Sequence, residues 1–158
     1  MRSAKICNWN RSMQLLPLCA ACSLGLGCDS LSGLIGFLGP TVVTVELVNN
    51  SDFAVEGELF YDDEDDTIEE LLEENGTRRQ FVLPAGDRSS FSVNCDDLRA
   101  IIISDADLQL IGEIGPSAST DVLRDGNDFD CGDRIVFTFD HSSAIVDFDV
   151  TTSVQGGQ

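Results

Sequence analysis

The residues best able to do chemistry in this chain are carboxylates gathered in two short loops. One is Asp62-Asp63-Glu64-Asp65-Asp66. The other runs Asp125-Gly126-Asn127-Asp128-Phe129-Asp130-Cys131, with Asp121 ahead of it and Asp133 just beyond. Hard cations such as Ca2+ take about six to eight oxygen ligands, so either loop offers the right donor type. Set against a helix-flanked calcium loop, Asp63, Asp65 and Thr67 fill the first three ligand places and Glu74 the last. The place that needs glycine holds Ile68. Acids just ahead of a helix also favour its positive end without binding anything. In the second loop Asp121, Asp125, Asn127, Asp128 and Asp130 form the expected cation set, held in place by Cys131. Turn-forming Asp and Asn also recur there for backbone reasons alone.

Other chemistries are poorly served. His141, the single histidine, falls beside Ser142 and Ser143 in an expected hairpin turn. A triad needs its base held between a nucleophile and a carboxylate by the fold, which adjacent turn residues do not provide. One histidine and two mutually paired cysteines do not make a usual zinc site. Two carboxylates can hydrolyse a glycoside, but among 28 acids some pair is always close. The expectation is a non-enzyme without a resident cofactor, Ca2+ being the one ion its loops would take. A calcium-binding module using loops 121–133 or 62–66 is the alternative, and a carboxylate-dependent hydrolase the third reading.

The charge narrows the partners. The chain of 158 residues carries a net −19, and its three basic residues before Cys28 are Arg2, Lys5 and Arg11. Without them six basic residues remain, all Arg, against 28 acids, so the part from Cys28 onward stands at −22 with no lysine. Nucleic acid and anionic lipid surfaces would both be repelled. A length of this order holds one domain.

The first 28 residues have the parts of an export signal: a basic start, an uncharged and mostly apolar stretch from Leu15 to Gly27, and then Gly27-Cys28 followed by Asp29-Ser30. A small residue before a cysteine at this position resembles the lipobox of bacterial lipoproteins. That resemblance implies a diacylglycerol on Cys28, cleavage before it, and a protein of the cell envelope facing periplasm or exterior. Where the family favours Leu, three positions before the cysteine, this chain has Gly25. Cys22, behind Ala20-Ala21, offers a second site, and cleavage without lipidation leaves a secreted protein. Gly, Ser and Pro together with Asp29 argue against a membrane span over 15–39. Cys7, Cys19 and Cys22 fall in the signal, which leaves Cys95 and Cys131 as an even pair in an oxidising compartment. A disulfide between them is expected. Closing that loop of 36 residues stabilises a fold by about 3–4 kcal/mol.

The expected organisation is a signal over 1–27, a lipidated cysteine and Gly-rich tether over 28–40, a domain over 41–152, and a disordered tail over 153–158. Within the domain, alternating or β-branched runs predict strands over 41–48, 55–61, 78–83, 89–95, 98–104, 108–114, 134–140 and 144–151. Asp105-Ala106-Asp107 reads as the turn between the fifth and sixth. Ala100-Ile101-Ile102-Ile103 reads as a strand buried on both sides. Thr67 to Glu70 forms a capping box for one short helix, with Ile68, Leu71 and Leu72 as its apolar stripe and Asn75-Gly76 as its stop. Eight short strands and one inserted helix make a mainly β protein, an antiparallel β-sandwich.

The cysteine spacing invites comparison with immunoglobulin domains, with both sulfurs pointing inward to join two strands through the core. The core tryptophan of those domains is missing, because Trp9 lies in the signal, so the sandwich is immunoglobulin-like in type at most. Gly86-Asp87-Arg88 and Gly132-Asp133-Arg134 echo one another at the start of two strands, as convergent turn chemistry. The leading expectation for function is an envelope lipoprotein with a structural or protein-binding role, its partners being the membrane through its lipid and another envelope protein.

Overall fold

A computed structural model describes residues 39–64, 67–110, 113–142 and 147–157. The signal over 1–27, Cys28 and all but the last two residues of the tether lie outside them, as do Asp65, Asp66 and the connection 143–146.

The chain forms a sandwich of two sheets. The first carries β4 (Arg88–Asn94), β1 (Val42–Asn49), β8 (Arg134–Ser142) and β9 (Asp147–Gln155), in that order. The second carries β3 (Thr77–Leu83), β2 (Ala54–Asp62), β5 (Ala100–Leu110) and β6 (Glu113–Ala118), with β7 (Leu123–Arg124) also paired to β5. Among the described residues every pairing between these strands is antiparallel except that of β1 with β8, which is parallel. We call the end where β1 begins proximal and the end where it finishes distal. The core is the set of inward residues that the alternation predicts: Val43, Val45 and Leu47 from β1, Val55 and Leu59 from β2, Ile135, Phe137 and Phe139 from β8. Phe148 and Val150 of β9 close it.

The second sheet has a second apolar layer. Helix α1 (Glu69–Asn75) lies on its outer face near the proximal end, and Leu72 packs there with Phe60, Ala100 and Ile102. Hence Ile101 and Ile103 face the main core while Ala100 and Ile102 face the helix, which is why that run is apolar without alternation. The helix itself differs from expectation. Its N-cap is Ile68 and no side chain caps it, so the Thr67–Glu70 capping box does not form. Thr67 is buried instead, and its carbonyl accepts from Arg124 Nη2 at 3.1 Å. Of the expected stripe only Leu72 is buried; Ile68 and Leu71 are 54% and 47% exposed.

Other boundaries also moved. Asp105-Ala106-Asp107 is no turn: β5 runs through it, and a register shift opposite Glu58 and Leu59 absorbs Ser104 as a bulge. The bulge resets the alternation, so that Ala106 and Leu108 stay inside while Asp105 and Asp107 turn out. The polar loop expected from Gly115 contains β6 and β7. His141 lies in β8 opposite Phe148, beyond the expected end of that strand. At the other end β9 continues to Gln155, so strand takes up the first three residues of the expected tail.

Cys95 and Cys131 are bonded, with Cα atoms 5.5 Å apart. The bridge does not cross the core between sheets. It joins the proximal ends of β4 and β8, the two strands that flank β1 in one sheet, and both cysteines are half-buried. The Cys95 amide donates to Thr41 O (2.9 Å) and the Thr44 amide to Asp133 O (3.0 Å), so the start of β1 is held on both sides. Gly132 sits at φ +98°, and a Cβ there would run into the Pro40 ring.

The distal end is held by a buried amide. Asn49 is 1% exposed, and its Nδ2 lies 2.8, 3.0 and 3.1 Å from the carbonyls of Phe53, Pro84 and Leu83. Its Oδ1 accepts from the Ser51 amide (2.9 Å) and hydroxyl (2.7 Å). Truncating it leaves several buried polar groups without partners, each at a cost of about 1–3 kcal/mol. Asn49→Ala should therefore lower unfolding stability in urea by about 3 kcal/mol. Asn50→Ala, which removes only an exposed contact to Asp140 (3.2 Å), should stay within about 0.5 kcal/mol of the parent. Equal losses from the two changes would remove Asn49 from the account of stability.

Candidate functional site

Of the acids expected to bind a cation, Asp125 and Asp128 have other side-chain partners. Asp125 is ion-paired with Arg99, and its amide donates to the Arg99 carbonyl at 2.9 Å. Asp128 Oδ2 accepts from the Arg124 amide at 2.8 Å, closing a turn in which Gly126 takes φ +75°. Phe129 from the same turn is buried in the core. The Asp130 amide donates to Asp133 Oδ2 at 2.8 Å, and Asp133 Oδ1 accepts from Gly157 at 3.0 Å. Asn127 and Asp130 are exposed. Asp121, also exposed, lines a separate hollow with Glu69, Thr120 and Thr152. Among the described residues no three His, Cys, Asp or Glu side chains converge as a metal site. In the other acidic loop Asp62 Oδ1 accepts from the Asp63 amide at 2.8 Å.

His141 is equally tied to the fold. Its Nδ1 lies 3.0 Å from the Asp147 carbonyl, and its ring meets Phe53 edge-on at 5.6 Å between centroids.

Two surfaces were not legible as candidates. The first is the outer face of the second sheet beyond the helix, where Glu56 stands opposite Asp107 and Glu58 opposite Asp105. Like charges directly opposed across strands are unfavourable. Glu58 has relief from Arg78 and from Gln80 (3.1 Å), and these hydrogen bonds hold its carboxyl below the ordinary range. Asp107 has none: partial burial, with Asp105 and Glu56 beside it, pushes its carboxyl up. The signal was the two-residue spacing of Asp105, Asp107 and Gln109 about Ala106 and Leu108, masked by the turn-forming reputation of Asp.

The second surface is the edge of the first sheet at β4. Among the described residues β4 pairs with β1 alone. The pairing has the Cys95 amide on Thr41 O and the Asn49 amide on Asp87 O, so the odd-numbered residues of β4 bond to β1. The amides and carbonyls of Arg88, Ser90, Ser92 and Asn94 point away from it. On the inner side of this edge the two sheets part in a groove of about 490 Å3 with a mostly polar lining: Tyr61, Phe91 and Val93 are joined by Thr77, Ser92 and Asn94 and by the acids Asp62, Asp63 and Asp97. Arg79 of β3 reaches into the mouth, its guanidinium 4.0 Å from the centre of the Phe91 ring.

Edges of this kind are usually blunted by charge, proline or cover. The edge strand β3 has Arg78 and Arg79, β6 has Pro116 and packs against β9, and β9 has Asp147 and Asp149. β4 has Arg88 at its start and then Ser89-Ser90-Phe91-Ser92-Val93-Asn94, without charge or proline. This edge and its groove form the candidate site, and their chemistry is that of main-chain pairing.

The raised Asp107 carboxyl gives a signed expectation. A folded-state pKa above the unfolded one means that the native chain holds more protons between the two. Stability then falls as pH rises through that window, just above the ordinary Asp range. Asp107→Asn should remove this fall and, by relieving the pair with Glu56, stabilise the domain at neutral pH by about 0.5 kcal/mol. Urea unfolding of parent and variant across pH 3.5 to 7 (about one point per half unit) checks both sign and window.

No protein-family model matches the chain, and no curated protein matches it in sequence. Among solved structures, the crystal structure of the T6SS lipoprotein TssJ1 from Pseudomonas aeruginosa is similar in fold. It has a TM-score of 0.43 and 12% identity, over 76% of this chain and 100% of that one.

Proposed function

We propose that this chain is an exported, lipid-anchored, non-enzymatic β-sandwich that works by binding another protein of the cell envelope. The observation that carries the binding role is the edge of β4, where among the described residues a row of main-chain donors and acceptors points outward beside a mostly polar groove. Among the described residues the other edges are blunted and this one is not, and an edge left so risks uncontrolled pairing, a liability that a specific partner would offset.

The address rests on Gly27-Cys28 at the end of an apolar export signal. The Cys95–Cys131 bond agrees with an oxidising compartment. Pro40 lies beside that bond, so a tether from Cys28 would reach the domain at the end that the disulfide closes. The charge of −22 from Cys28 onward favours the protein's solubility and the domain's distance from anionic headgroups.

Metabolic labelling with an alkyne fatty acid tests the anchor in a bacterium expressing the whole chain. The parent should take up label and sediment with membranes. Cys28→Ser should lose the label and be released, while Cys22→Ser should behave as the parent. Label that survives Cys28→Ser, or a parent recovered unlabelled in the soluble fraction, would remove the anchor from the proposal.

A further inference from the structure

We propose that the groove between β3 and β4 binds a neutral saccharide. The inference goes beyond the binding of a protein at the edge and does not depend on it. It uses side chains on the inner side of β4, whereas the edge offers main-chain groups that point outward. Small-molecule sites of this size are usually lined mostly by apolar side chains with a few polar ones among them. This groove, at about 490 Å3, has the opposite balance: two aromatic rings, Tyr61 and Phe91, stand among carboxylates, hydroxyls and a guanidinium.

The guanidinium is that of Arg79, and it is set apart from the rest. Among the described residues the other five arginines bond to the fold, Arg78, Arg88, Arg99 and Arg134 in ion pairs and Arg124 on two carbonyls. Arg79 stands instead over the Phe91 ring, which holds its N–H donors in the groove without using them. The same groove carries the acceptors. Asp63 is exposed, Asp62 takes the Asp63 amide on one oxygen, and Asp97 takes the Asn94 amide group at 3.0 Å.

A sugar ring matches this mixture. Its C–H face buries against an aromatic ring, and each of its hydroxyls can donate to a carboxylate or accept from a guanidinium. Hydrogen bonds to charged groups are the stronger kind, so a groove with both signs of charge favours a neutral ligand rich in hydroxyls. Such hydroxyls also replace the water of a polar groove bond for bond, which an apolar group cannot do. An anion would meet three carboxylates in a protein that stands at −22 from Cys28 onward. A cation would find the Phe91 ring already covered by Arg79.

The test uses the protein purified after expression of the whole chain, titrated in a calorimeter with three neutral trisaccharides: cellotriose, maltotriose and triacetylchitotriose. The glucosamine trimer serves as the cationic control. At least one neutral trisaccharide should bind with a Kd of about 1 mM or tighter. Arg79→Met keeps a long side chain over Phe91 and removes the donors; Asp63→Asn removes one charged acceptor from an exposed place. Each should weaken that binding about tenfold, as expected for a hydrogen bond to a charged group, with the thermal midpoint unchanged. Should one variant fail to fold, the other decides.

No binding of any neutral trisaccharide at about 10 mM would overturn the inference. So would equal affinity of the parent and the folded variants, which would put the sugar elsewhere on the protein. Tighter binding of the glucosamine trimer than of every neutral one would assign the groove to a cationic amine and overturn it too. Any of these failures leaves the β4 edge and the lipid on Cys28 standing, since neither variant alters a main-chain group or that cysteine.

Discussion

Asn49 couples the two sheets at a point where the apolar core alone would not. The chain passes from one sheet to the other twice at the distal end, first from β1 to β2 and again from β3 to β4. Each crossing leaves carbonyls turned inward with no strand to receive them. A single carboxamide answers both, its Nδ2 lying against Phe53 in the first crossing and against Leu83 and Pro84 in the second. Ser51 completes the acceptor side. No other side chain of that size offers two donors and an acceptor without charge, and a charge buried to this degree would need a counter-ion. The register of β1 against β4 and β8 follows, because the amides of Asn49 and Asn50 bond to Asp87 O and Phe139 O on either side (2.9 Å each).

The six arginines show how so acidic a domain stays folded. Exposed ion pairs contribute little each, so their number explains nothing. Their placement does. Arg88 and Arg134 begin the two strands that flank β1, and both reach Glu46 between them, at 3.6 and 3.7 Å. The echo of Gly-Asp-Arg in the sequence is therefore one turn chemistry used twice, with a glycine at positive φ in each copy (Gly86 and Gly132). Arg99 fastens the 121–133 loop to the start of β5 through Asp125. Arg124 bonds to carbonyls of Val122 and Thr67, tying that loop to the approach of α1. The guanidinium suits this work because it offers several donors in a fixed fork, which an ammonium does not.

Period-two alternation made the inward faces of β1, β4, β8 and β9 legible, since each faces the core on one side and water on the other. It failed in β5, where the helix covers part of the outer face and a bulge at Ser104 shifts the phase. A bulge has no residue signature beyond a broken period, and the break coincided with two aspartates. The parallel pairing of β1 with β8 and the position of the disulfide within one sheet depend on strand order, which local pattern does not carry. The aspartates of 121–133 were recognised by type. Their partners, Arg99 and the backbone amides of Arg124 and Asp130, were set by turns whose geometry appears only on folding. Conversely the β4 edge was invisible because serines read as an ordinary solvent face, and an edge is defined by what does not pair with it.

Among the described residues β4 is fastened at both ends and unpaired along one side. At the distal end the crossing that feeds it is held through Pro84 to Asn49, and at the proximal end Cys95 bonds it to the chain ahead of β8. An edge strand without such fastening frays, and a partner would have to supply the ordering energy of every residue it paired, about 1–2 kcal/mol each. Here the strand is already extended and in register, with four residues directing their main-chain groups outward. The two fastenings that stabilise the sandwich thus also lower the cost of adding a strand to it, as expected when binding draws on order already present in the free protein.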